Sequence, residues 1–97
     1  MTAIAALLDV FAQEHPNDVA RLLDRGEIAE VVPLLGRMER PAAARLLSRM
    51  NATRAAEVLT KIERDEAALL LAETGVSRAA LILSHADAAT RRALLEQ

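Results

Sequence analysis

Ala43-Ala44-Arg45-Leu46-Leu47-Ser48-Arg49-Met50-Asn51-Ala52-Thr53-Arg54-Ala55-Ala56-Glu57-Val58-Leu59-Thr60-Lys61-Ile62 decides the fold. Its apolar residues fall at Ala43, Leu46, Leu47 and Met50, and again twelve positions on at Ala55, Val58, Leu59 and Ile62. Offsets of three, four and seven put each set on one stripe of an α-helix. Two stripes in so few residues mean two short helices joined by a tight turn. The same phrase comes twelve residues earlier as Val31, Leu34, Leu35 and Met38.

Followed outward, the register runs the length of the chain. Phe11, Leu23, Leu35, Leu47, Leu59, Leu71, Leu83 and Leu95 stand twelve apart, each preceded by Val10, Leu22, Leu34, Leu46, Val58, Leu70, Ile82 or Leu94. A fixed period without insertion marks an array of like units, and such arrays usually serve as binding surfaces. Each unit predicts about eight or nine helical residues and a turn of about three. Gly26-Glu27 and Gly75 end helices, Pro16 and Pro41 open them, and Asn17, Thr53, Asp65 and Ser77 stand where an N-cap oxygen is wanted. Pro33 predicts a helix that starts late or kinks.

The match is better at 24 residues than at twelve. Ala20-Arg21-Leu22-Leu23 recurs as Ala44-Arg45-Leu46-Leu47 and as Ala68-Leu69-Leu70-Leu71, while Arg54-Ala55-Ala56 matches Arg78-Ala79-Ala80. Short turns force neighbouring helices to run antiparallel, so the unit is a helical hairpin and the fold class is an all-α solenoid. Ala20, Ala44 and Ala68 on one helix, with Ala56 and Ala80 on the other, are the expected close contacts. The array stops one helix into its fourth hairpin, at Ala88 to Gln97, which leaves Leu94 and Leu95 as an expected exposed apolar end. Residues 1–97 therefore read as a single domain that continues or docks beyond Gln97, or pairs with a second copy through that end.

Composition excludes several classes. The chain has no cysteine, hence no disulfide framework or thiolate metal site, which suits a reducing compartment and a cytoplasmic location. Charge-free stretches fall far short of the roughly 20 apolar residues that span a bilayer, and Met1–Leu8 lacks the basic start of a signal peptide. His15 and His85 have no zinc-type spacing, and no serine or threonine sits in a nucleophile motif, so catalysis is not expected.

Charge is uneven. From Arg37 to Arg64 seven basic residues face three acidic ones, a local +4 in a chain of net charge −2. The 24-residue period stacks Arg21 over Arg45, Arg25 over Arg49, Arg54 over Arg78, and Arg37 over Lys61 over His85. Such ladders predict basic stripes for carboxylate or phosphate partners. The modest charge and the single aromatic, Phe11, put nucleic acid last among partners. Glu63, Asp65 and Glu66 gather at a turn and helix start, where the helix dipole favours carboxylates. They are also the candidates for a weak magnesium contact, since that ion is held through one or two carboxylates plus water.

His15-Pro16-Asn17-Asp18-Val19-Ala20-Arg21-Leu22-Leu23, with Arg54-Ala55-Ala56-Glu57-Val58-Leu59, Glu66-Ala67-Ala68-Leu69-Leu70-Leu71 and Arg78-Ala79-Ala80-Leu81-Ile82-Leu83, resembles the cytosolic N domain of MgtE-type magnesium transporters. The similarity runs from about residue 3 to 97. It implies a right-handed superhelix, normally followed by paired CBS domains and a membrane channel, that helps sense magnesium when cations bridge acidic N and CBS surfaces. No tightly bound cofactor is implied; weak magnesium binding at Glu63, Asp65, Glu66 and Asp87 is. The family's N domain is usually rich in Glu and Asp, whereas the middle repeats here carry Arg. Glu14-His15-Pro16 is similar to the E-H-P-Q phrase of the FliG middle domain, with Asn17 in place of glutamine, which implies a partner-binding role for His15. The expectation is a non-enzymatic regulatory or interaction domain whose partners are the transporter's CBS and membrane domains. The alternative is a free-standing scaffold that binds protein through Arg21, Arg25, Arg45, Arg49, Arg54 and Arg78.

Overall fold

From residue 16 onward helix starts recur every twelve residues in a computed structural model of the chain, which describes residues 2–96 and, within the first eight, the side chain of Leu7 alone. After α1 (Thr2–Glu14) come α2 (Pro16–Arg25), α3 (Ile28–Arg37), α4 (Arg40–Arg49), α5 (Ala52–Lys61), α6 (Arg64–Glu73), α7 (Val76–Ser84) and α8 (Ala88–Leu95). The helical reading holds, with longer helices and tighter links than expected. From α2 to α6 each helix has ten residues, and most links have two.

The links show why two residues suffice. Met38, Met50 and Ile62 leave the helix in extended backbone, yet Met38 and Met50 are buried and Ile62 is half-buried. The first link residue thus completes the apolar stripe of the helix it ends. The second is the N-cap of the next helix, and here the expected register is corrected by two residues. Asn51 Oδ1 accepts from the Thr53 and Arg54 N–H groups at 3.0 and 3.3 Å, while the Asn51 carbonyl accepts the first helical bond from Ala55. Asn17, Thr53, Asp65 and Ser77 therefore lie inside the first turn, and His15, Asn51, Glu63 and Gly75 hold the cap positions. Gly75 has φ +93°, a conformation that costs an L-residue with a side chain roughly 1–2 kcal/mol.

Pro16 and Pro41 occupy the first turns of α2 and α4, where a missing N–H is tolerated. Pro33 does not delay α3, which begins at Ile28 and runs through the proline to Arg37. Its ring is exposed, so the bond it denies the Ala29 carbonyl, also on an exposed residue, is open to water.

Packing follows a rule of two. α2 packs on α4, α4 on α6 and α6 on α8, while α3 packs on α5 and α5 on α7. Two rows result, and the stack measures 36 × 23 × 21 Å. Small residues let the first row close up: Ala20 and Ala44 are buried where α2 meets α4. Ala56 is likewise buried, but Ala80 is exposed, because no helix follows α7 in its row. Leu35, Leu46, Leu47, Val58, Leu70 and Ile82 form the continuous core. Each contributes roughly 1.5–3 kcal/mol relative to exposure, and helices this short depend on that tertiary burial.

Candidate functional site

The acidic residues expected to face a cation are engaged with the fold. Glu63 Oε2 accepts from the Asp65 N–H at 2.6 Å, capping α6. Glu66 receives both forks of the Arg40 guanidinium, Nε to Oε2 at 3.2 Å and Nη2 to Oε1 at 3.3 Å, which ties the first turns of α4 and α6 together. The carboxylate raises the Arg40 pKa further, mainly by accepting its hydrogen bond. Asp87 Oδ1 accepts from the Thr90 N–H at 2.7 Å and caps α8. The backbone N–H of Thr90, followed by its hydroxyl, holds the Asp87 carboxyl below its usual range. Asp65 lies in the first turn of α6. Among the described residues no three His, Asp or Glu side chains converge to hold a metal ion. Glu63, Glu66 and Asp87 thus hold helices in place, and this donor set does not make a self-contained magnesium cage.

The arginine ladders separate into different roles. Arg54 and Arg78 are not on an open stripe: both are half-buried and reach back to the ends of earlier helices. Arg54 Nη2 donates to the Leu23 carbonyl in the last turn of α2 at 3.5 Å, and Arg78 Nη2 donates to the Met50 carbonyl just past α4. A cation there meets the negative end of the helix dipole, and Arg54 shares the Leu23 carbonyl with the Gly26 N–H. Arg25, Arg37, Arg49 and Lys61 are the last residues of α2, α3, α4 and α5, where the same dipole favours them. Arg21 pairs with Asp18 one turn earlier. Of the six arginines expected to meet a partner, Arg25, Arg45 and Arg49 are exposed and make no ion pair among the described residues, all on α2 and α4.

His15 stands in the link between α1 and α2 and makes no side-chain cap; its ring centroid lies 5.1 Å from that of Phe11. His85, in the link between α7 and α8, meets the Thr53 hydroxyl at 3.2 Å through Nδ1. These two groups flank a cleft of about 360 Å³ that Glu57, Lys61, Ala86 and Asp87 also line. At the far end Leu94 and Leu95 part company. Leu95 is 67% exposed as expected, but Leu94 is buried against the core, because α8 packs on α6 even without a partner in the other row.

Two anchors were not legible in the sequence. Asp24 accepts from the Asn51 N–H through both oxygens at 3.1 and 3.2 Å, and Asp9 accepts from the Glu39 N–H at 3.3 Å. Both carboxylates bind a residue at a helix start 27 or 30 positions away, a separation that fits neither period.

No helix is long and apolar enough to cross a membrane among the described residues. No curated protein and no solved structure matches the chain. A family model, the MgtE intracellular N domain, matches residues 2–97. That match covers the array from its first helix to its last residue, and the chain belongs to the MgtE intracellular N domain family.

Proposed function

We propose that the chain works as the regulatory N domain of an MgtE-type magnesium transporter, on the cytosolic face of the membrane, through contact with neighbouring domains and not through chemistry of its own. The observation that carries this reading is the family match over the whole array of packed helices. Magnesium enters at a seam. Glu63, Asp65, Glu66 and Asp87 lie near helix starts, each able to offer a carboxylate oxygen, but too few come together for a closed site. Magnesium is six-coordinate, keeps several waters and takes one or two carboxylates, so one carboxylate here and one from a partner suffice to share the ion. Like charges brought together at such a seam repel until a divalent ion screens them, which makes docking depend on magnesium.

The test is association of the chain with a CBS-domain pair from an MgtE-type transporter, followed by calorimetry in millimolar magnesium and again in chelator. Binding in magnesium alone, weakened by Asp65→Asn, supports the reading. Equal binding in chelator, or none in either condition, overturns it.

A further inference from the structure

The first hairpin, α2 and α3, carries an apolar groove of about 410 Å³. Its floor and walls include Val19, Leu22, Leu23, Glu30, Val31 and Leu34. The counterparts 24 and 48 residues on from Val19, Leu22, Leu23 and Leu34 are core, as is Ala55, the counterpart of Val31. Leu22 is 62% exposed, whereas Leu46 and Leu70 are 1% and 2% exposed. Leu34 is half-buried, whereas Val58 and Ile82 are fully buried. Leu23 and Val31 match Leu47 and Ala55, both without exposed surface. The groove is therefore the seat that, in the second and third hairpins, the preceding hairpin fills.

On the first hairpin that seat is filled in part. α1 packs chiefly on α2 and α4, so the side formed by α3 stays open. Ala12 is buried, but Phe11 stands at the rim 43% exposed, and Val10 and Leu7 are 52% and 69% exposed. An apolar edge of this extent on a small domain marks a contact surface.

One polar substitution within the seat indicates what it takes. Arg54 and Arg78, which reach a preceding helix's C-terminal carbonyls, correspond on α3 to Glu30. A carboxylate facing a helix C-terminus is repelled by the partial negative charge there. Glu30 thus disfavours another copy of the array stacked in register, and favours a cation. Glu30 is exposed and makes no ion pair among the described residues.

We propose that this groove receives a short amphipathic helix of a partner protein, its Leu/Ala stripe seated between Leu22 and Leu34 and a lysine or arginine at its flank paired with Glu30. The seat already accepts helices of this type twice within the chain, which fixes the occupant's shape, and Glu30 fixes its charge.

A labelled peptide of about four helical turns, with leucines at i, i+3, i+4 and i+7 and flanking lysines, is the probe. A second peptide replaces every lysine with glutamate. Anisotropy should show saturable binding of the lysine peptide, with amide NMR shifts at Phe11, Leu22, Glu30 and Leu34. Glu30→Lys and Leu22→Asp should each weaken it about tenfold or more. Both sites are exposed, so unfolding midpoints should stay the same. No binding, equal binding of the glutamate peptide, shifts mapping elsewhere, or insensitivity to both variants would overturn the proposal. A concentration-dependent oligomer in sedimentation, dissolved by Leu22→Asp, would also overturn it by assigning the groove to a second copy.

Discussion

Arg78 on α7 donates through Nη2 to the carbonyl of Met50, the residue that ends α4, across 28 positions of sequence. Arg54 makes the equivalent reach from α5 to Leu23 on α2. These bonds join the rows of the stack at its helix ends, at the negative pole of the helix dipole. The Nε atoms of both arginines are buried without a partner, so the guanidinium's hold on the carbonyl offsets a desolvation cost.

Replacing Arg78 with Ala should therefore lower stability by roughly 1.5–3 kcal/mol, the range for a hydrogen bond to a charged group. Urea unfolding measures it. A change within about 0.5 kcal/mol, as at an ordinary surface site, would mean that Arg78 is not a structural cap.

The same repeat position should respond differently in different hairpins. Leu46→Ala removes a fully buried side chain and should cost about 2–5 kcal/mol. Leu22→Ala, 24 residues earlier and 62% exposed, should stay within about 0.5 kcal/mol. Equal losses would show that the seat of the first hairpin is filled.

Two glycines should differ in sign. Gly75→Ala meets a φ of +93° and should destabilise by roughly 1–2 kcal/mol. Gly36 lies near the end of α3 with open space around a built Cβ, so Gly36→Ala should stabilise by up to about 1 kcal/mol. Thermal melts of the two variants read both.

Acid sensitivity should trace to Asp87. Its native carboxyl titrates below the reference 3.8, held there by the Thr90 N–H. A lowered native pKa stabilises the fold above the unfolded value, and that stabilisation is lost as pH falls through the native one. The stability gap between wild type and Asp87→Ala should thus be full at neutral pH and shrink on acidification below about 4. A gap that does not change with pH would mean the cap is not carried by the ionised carboxylate.

The array was legible because its signal is redundant: a wrong residue at one position, such as Gly26 or Thr74, leaves the register intact. Cap positions were harder. Asn17, Thr53, Asp65 and Ser77 have capping chemistry, but the cap is the residue whose carbonyl accepts the first helical bond, two positions earlier. Arg54 and Arg78 were correctly placed on one face by periodicity, which cannot show that the row behind lies within reach of a guanidinium. Leu94 was assigned to an open end because α8 lacks a hairpin partner, although α6 alone buries it.

Amide NMR during magnesium titration of the isolated chain tests most directly whether the carboxylates serve the fold and share a cation only at a seam. Residues 63–66 and Asp87 should show small shifts that do not saturate below the millimolar range. Saturable shifts at micromolar magnesium, centred on Glu63, Glu66 or Asp87, would contradict this and establish a closed metal site within the domain.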